Sequence, residues 1–392
     1  MTGFDPHRRA LLLRTAALAA AGFARAGRVP AGLAPALLTL GPAQAADMVV
    51  GVVYIGPRDD WGWNQSFAEA AAALAALPGV RVAEAGHLPE STDYASGRDD
   101  AETRAYAAAI EGLVAEGARL VISTSFDDDP FLAAAAVLHP GVAFRQARAL
   151  GGGPGPPNLG GQNALIDRGH YVNGVAAGLS TVTNSLGFVA GMPFAPVLLD
   201  VNSFLLGARS TNPAATVRVI FTGAWEGETH DAAAANALVD AGCDVIGCHL
   251  DAPRVVIETA EARGARTCGH AVDQGRLAPR GYVTGADYHW AGMFAGFVET
   301  LGRGGALPAF LTGGYDRDYV RSSPFGAGAT PAAIAAAEVA IRAMRRGDAV
   351  FVGPLRDNTG REVVPPGTTY GPYAEALQRT DYLLEGVIGT TG

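Results

Sequence analysis

Apolar positions in this chain come in short runs that alternate with longer stretches of helical spacing. Residues 49–55 form an almost unbroken β-branched run, the pattern of a strand covered on both faces. Residues 67–77 follow as an Ala-rich helix that ends near Pro78 and Gly79. The same alternation then repeats: 80–83 predicts a short strand, 101–116 a helix closed by Gly117, and 119–124 an apolar strand. Residues 129–138 predict a helix and 142–146 a further strand, before the Pro/Gly tract 151–157, which reads as a linker. A second series runs through helices at 169–179, 197–212, 230–241 and 254–263. Its strands are expected at 185–190, 216–222, 245–249 and 265–269.

Two consecutive βα series predict an α/β fold of two Rossmann-like lobes, each a parallel sheet between helices, with a ligand cleft where the lobes meet. Residues 282–290 read as a crossing strand and 310–315 as a return crossing, so hinge crossovers join the lobes. The expected division is 46–160 plus 288–310 for the N-terminal lobe, and 161–287 plus 311–392 for the C-terminal lobe. A chain of about 345 residues after its leader is also too long for one ordinary core.

The first 45 residues predict where the protein works. Arg8 and Arg9 precede an Ala/Leu/Gly-rich stretch that closes on Ala43-Gln44-Ala45, an A-x-A cleavage pattern. The arginine pair resembles a twin-arginine export signal, an ordinary secretory signal being the alternative. Arg25 and Arg28 interrupt the apolar stretch, which makes a poor membrane span. No cysteine follows the cleavage pattern, so a lipid anchor is not supported and a periplasmic mature chain from about Ala46 is expected. Removing the leader leaves 24 basic against 37 acidic residues, a net charge of −13 that argues against nucleic acid or anionic membranes as partners. Cys243, Cys248 and Cys268 form no regular framework. They are either buried thiols or include a Cys248–Cys268 pair on neighbouring strands.

Chemistry-bearing residues gather where strands end, the edge at which open α/β sheets bind ligands. The first strand leads into Trp61, Trp63 and Asn64, and the third into Ser125, Phe126 and Asp127. Trp225, Asp251 and Asp273 follow strands of the second series, and Tyr288 lies on the later crossing. Flat apolar faces with in-plane donors and acceptors suit an uncharged heteroaromatic ligand. Each group also has a plainer reading. The tryptophan loop could pack on itself, Asp127 to Asp129 could cap the next helix, and His249 and His270 could be structural. No nucleophile elbow, Walker loop or dinucleotide glycine motif is present, nor a CxxC or His-x-x-x-His spacing. Catalytic residues, cofactors and metal ligands are therefore not expected.

An ordered series of short motifs carries a further likeness. It includes Gly51-Val-Val-Tyr-Ile-Gly-Pro57, Gly62-Trp-Asn-Gln-Ser66, Thr124-Ser-Phe126 and Gln162-Asn163-Ala164. It continues through Asn202-Ser-Phe204, Trp225, Ala271-Val-Asp273 and Phe351-Val-Gly353. Across residues 48–390 the chain resembles the basic membrane protein (BMP) family of type I periplasmic binding proteins, which deliver purines or nucleosides to ABC importers. The resemblance implies a small-molecule ligand and a membrane permease as partners. It implies that Trp63 stacks on a base with Asn64 beside it, that Phe126 and Asp127 meet the base edge, and that Trp225 covers the opposite face. Asp273 would accept hydrogen bonds, and Asn163 lies in one of the matching motifs. Nucleoside-binding members carry a lysine on the later crossing, where this chain has Asp287 and Tyr288, which moves the expectation from a nucleoside toward a free base. A ligand sensor on the same fold, or an exported enzyme, is the alternative.

Overall fold

A computed structural model describes residues 48–86, 101–127, 129–151 and 155–391, without the side chains of 101–103. The expected export signal, 1–45, lies outside the described residues.

The first sheet contains β1 (Met48–Val53), β2 (Val80–Ala85), β3 (Leu120–Phe126), β4 (Ala143–Ala147) and β5 (Leu159–Ala164). Later strands of the chain are β6 (Ser185–Ala190), β7 (Thr216–Phe221), β8 (Val245–His249), β9 (Arg266–Ala271), β10 (Tyr282–Tyr288), β11 (Phe310–Gly313) and β12 (Val320–Ser322). The first sheet runs β11-β5-β4-β3-β1-β2, every pair parallel. The second runs β12-β10-β9-β8-β6-β7 and ends on a short strand, Val387–Ile388; only β12 is antiparallel.

The helices are α1 (Trp63–Ala75), α2 (Ala101–Ala115), α3 (Pro130–Leu138), α4 (Asp167–Ser180), α5 (Ala195–Thr211), α6 (Glu228–Asp240), α7 (Arg254–Ala262), α8 (Trp290–Gly302) and α9 (Pro331–Arg345). Helix α1 buries Trp63, Phe67, Ala70, Ala71 and Leu74, a stripe at helical spacing that faces its sheet. Helices α4 and α5 touch backbone to backbone. A Cβ on Gly174 would fall 2.0 Å from the Phe204 carbonyl oxygen, and one on Gly207 2.0 Å from that of Tyr171. Glycine is what permits that approach, and it sets the side chains of the two helices into one another.

The chain crosses between sheets three times: after β5 through Leu165 and Ile166, after β10 at His289, and after β11 through Gly314–Tyr319. This is the two-lobe α/β architecture expected. The anticipated boundaries at 160, 287 and 310 cut through β5, β10 and β11, whose pairing extends to Ala164, Tyr288 and Gly313. Strand β5 has no apolar run to mark it, because Gly160, Gly161, Gln162 and Asn163 fill its middle. The Pro/Gly tract therefore joins two strands of one sheet and does not divide the lobes.

Candidate functional site

The carboxyl ends of both sheets face a cavity of about 480 Å³. Its walls come from the loops after β1, β3, β7 and β8, the crossing after β5, the end of β10 and the starts of α4 and α5. Eight of the expected site residues line it: Trp63, Ser125, Phe126, Asp127, Asn163, Trp225, Asp251 and Tyr288.

Trp63 is held from below. Its indole Nε1 donates to the Thr124 carbonyl at 2.7 Å, and its ring meets Phe126 and Tyr288 edge-on at centroid distances of 6.3 and 5.3 Å. Tyr288 stacks on Trp290 at 4.9 Å. Burial, then the Asp200, Asp251 and Asp167 carboxylates, push its hydroxyl well above the ordinary tyrosine range, so it stays a protonated donor. Trp225 faces from the second lobe. Its ring lies against Gly191, where an added Cβ would approach Cε3 to 2.7 Å, and beside Phe194 and His249 at 5.8 and 6.1 Å. The tryptophan from each lobe thus borders one shared space.

Three expected residues lie elsewhere. Asn64 is turned inward: its Oδ1 accepts from Thr124 Oγ1 at 2.7 Å, and its Nδ2 donates to Asp60 Oδ2 at 3.0 Å. Asp60 also accepts from the backbone N–H groups of Gly62, Asn64 and Gln65, so its carboxylate satisfies donors in the first turn of α1. The carbonyl of Trp61 accepts from Gln274 Nε2 at 2.7 Å, and the Arg276 guanidinium covers its ring at 4.2 Å. Asp273 is exposed and closes a local turn by accepting from the Gly275 N–H at 2.9 Å.

The acidic loop after β3 splits between the two readings. Asp129 caps α3, accepting from the N–H groups of Phe131 and Leu132, and its other oxygen takes Ser125 Oγ at 2.7 Å and the Tyr106 hydroxyl. Asp127 instead accepts from the Ala149 N–H at 3.1 Å and borders the cavity. Trp61, Asp127 and Ala271 hold left-handed backbone at φ of 61, 58 and 72°. Such strain at non-glycine residues concentrates around binding sites.

Sequence reading missed an acidic floor. Asp167 and Asp200 line the cavity from the starts of α4 and α5, and His249 from the end of β8. Burial raises the Asp200 carboxyl to about 6, against the lowering effect of His249, whose Nδ1 stands 2.6 Å from Asp200 Oδ2. Asp167 is raised by burial and opposed by Arg168, whose Nε lies 3.1 Å away. An acid inside the apolar run Val197-Leu-Leu-Asp-Val201 was the available signal. Carboxylates of Asp127, Asp129, Asp167, Asp200 and Asp251 border the space, and His249 is the one basic side chain among its described lining residues. The three cysteines are free and buried. No described helix is long and apolar enough to cross a membrane.

Comparison with known proteins adds relatives to this geometry. A purine-binding protein of Brucella abortus is 29% identical over 328 residues, covering 83% of this chain and 90% of that one. A putative ABC transporter glucose-binding protein of Haloferax volcanii is 29% identical over 264 residues, covering 67% of this chain and 63% of that one. A solute-binding protein of an ABC transporter system from Conexibacter woesei shares the fold, with a TM-score of 0.62 at 21% identity over 76% of this chain and 97% of that chain. The model of the family described as ABC transporter substrate-binding protein PnrA-like (Bmp) matches residues 48–286. The chain belongs to this family of ABC transporter substrate-binding proteins.

Proposed function

We propose that the chain is the exported, non-catalytic capture subunit of an ABC importer, and that its cleft takes a purine base or a closely related flat heterocycle for delivery to a membrane permease. The observation that carries the reading is that Trp63 of one lobe and Trp225 of the other border the same cavity. Base–aromatic stacking contributes on the order of 1–3 kcal/mol per base. Edge groups left unpaired cost about 1–3 kcal/mol each, so the polar wall selects among bases.

The charge of that wall narrows the class. Asp127, Asp129, Asp167 and Asp251 border the space besides Asp200, which His249 engages, and none of its described lining residues is lysine or arginine. Ring and exocyclic N–H groups of a base can donate to carboxylates, whereas a phosphate would be repelled. The name of the Brucella relative supports a purine. A second reading, a neutral sugar, has support from the Haloferax relative's name and from the same carboxylates, which also accept from hydroxyls. Mass spectrometry of small molecules released from protein purified under native conditions tests the proposal. A purine base is the expected mass; a hexose in stoichiometric amount would replace the reading with the second.

A further inference from the structure

One cluster beside the cleft is not needed for stacking on a flat ligand. His170 projects from α4, Asp200 from α5, His249 from the end of β8 and His270 from β9. One ligating atom of each lies within 4.8 Å of those of the other three. His249 Nδ1 is 2.6 Å and His170 Nε2 3.4 Å from the same Asp200 oxygen, Oδ2. His170 Nε2 is also 3.0 Å from His270 Nδ1, and the rings of His249 and His270 stack at 4.2 Å. Meanwhile His170 Nδ1, fully buried, has no hydrogen-bond partner.

Three imidazoles and one carboxylate crowd into one buried spot. Two of the imidazoles crowd one carboxylate oxygen, and two place ring nitrogens against each other, where only one can carry the proton. A cation would engage three imidazole lone pairs and one carboxylate oxygen at once, after the rings, now stacked at 11–28°, turn toward it. We propose that His170, Asp200, His249 and His270 form a binding site for a divalent transition metal, zinc by donor chemistry. Three nitrogens and one carboxylate oxygen are a donor set that zinc takes in tetrahedral geometry at about 2.0–2.2 Å, which separates the donors by about 3.3 Å. The observed separations of 2.6, 3.0 and 3.4 Å straddle that value. The other pairs lie within 4.8 Å, so the widest closes by up to about 1.5 Å to reach the tetrahedral spacing.

The surroundings favour a dication. The Asp167 carboxylate acts on Asp200 through space, and Asp251 borders the same cavity. The glycine contact between α4 and α5 holds the helices that carry His170 and Asp200 in register. Four protein donors complete the shell, so the ion is structural and ties two helices and two strands of the second lobe together where Asp200 and His249 meet the cleft. The inference goes beyond the capture function and does not depend on which ligand is carried.

The test uses the mature chain without a histidine tag, stripped with a chelator and titrated with Co2+ and then Zn2+. One equivalent of Co2+ with the intense visible absorption of a tetrahedral site, displaced by one equivalent of Zn2+, is expected. His270→Gln and Asp200→Asn should lose that spectrum and bind zinc about 100-fold or more weakly, with a native circular dichroism spectrum. Absence of stoichiometric uptake by the unsubstituted chain, or an unchanged cobalt spectrum in either folded variant, overturns the proposal. X-ray absorption of the zinc-loaded chain gives a reading independent of variant folding: three imidazoles in a four-donor shell support the site, and fewer than two overturn it. Titrating the stripped protein with a purine reports the capture function separately.

Discussion

The backbone N–H of Trp63 donates to the carbonyl oxygen of Asp251 at 2.9 Å, joining the first turn of α1 in one lobe to the loop after β8 in the other. Around this bond the lobes touch directly: Gln274 reaches the Trp61 carbonyl, and Arg276 covers the Trp61 ring. Gly62 sits at the narrowest point, where an added Cβ would stand 2.0 Å from the Asp251 oxygen and 2.7 Å from Pro253 Cδ. Two neighbouring tryptophans therefore face different partners: Trp63 borders the cavity and Trp61 touches the second lobe.

Gly62→Ala should hold the lobes apart with little effect on either core. Ligand affinity is expected to fall about tenfold or more, since the closed state becomes a minor population. Small-angle scattering at saturating ligand should keep the larger radius of gyration of the open form. A variant that binds and compacts like the parent would show that this contact is not a latch.

Trp225 is part-exposed at the edge of the core, leaning on Gly191 and Phe194. Trp225→Ala should weaken binding by about 1–3 kcal/mol, the worth of one stack, or roughly 5- to 150-fold. The urea midpoint should move little. Unchanged affinity in a folded variant would remove Trp225 from the site.

Asp287 gives a pH signature. Burial raises its carboxyl to about 7, although Ser323 Oγ donates to it at 2.6 Å. The folded chain thus holds this proton more tightly than the unfolded chain does. Its stabilising effect is full below about pH 4 and is lost as pH rises toward 7. His170 and His270, pushed down by burial and by His249, act the other way and lose stability as pH falls through about 6.5. Comparison with Asp287→Asn isolates the carboxyl. Relative to the variant, the parent should lose stability between pH 4.5 and about 7.5 in urea titrations; parallel curves would contradict the assignment.

The thiols predict a simpler outcome. Burial raises Cys268 to about 12 and Cys248 higher still, and the two thiols, on the paired strands β8 and β9, are not joined by a disulfide. A thiol reagent at pH 8 should find no fast-reacting cysteine in the folded chain and three in urea. Finding only one in urea without reductant would mean that two had paired.

Patterns that depend on one segment were legible in the sequence; those made by packing were not. The β-branched runs announced β1 and β3, and the βα alternation gave the two lobes. Strand β5 was hidden because its pairing is satisfied by backbone while its side chains are glycine and amide. Within one loop, adjacency does not say which side chain faces the ligand: Trp63 lines the cavity, while Asn64 is drawn inward by Asp60 and Thr124. Asp273 follows a strand as the other candidates do, yet it serves its own turn. His170 and Asp200 lie thirty residues apart on two helices, and the close packing of α4 on α5 brings them together.

The most direct test of the capture account is calorimetry on ligand-free protein with a purine base, its nucleoside monophosphate and glucose. One base should bind with 1:1 stoichiometry and at least 100-fold preference over the other two, about 2.7 kcal/mol or more of discrimination. Glucose binding as tightly as any base, or the monophosphate binding tighter than its base, would contradict an acidic, indole-walled site for a flat neutral ring.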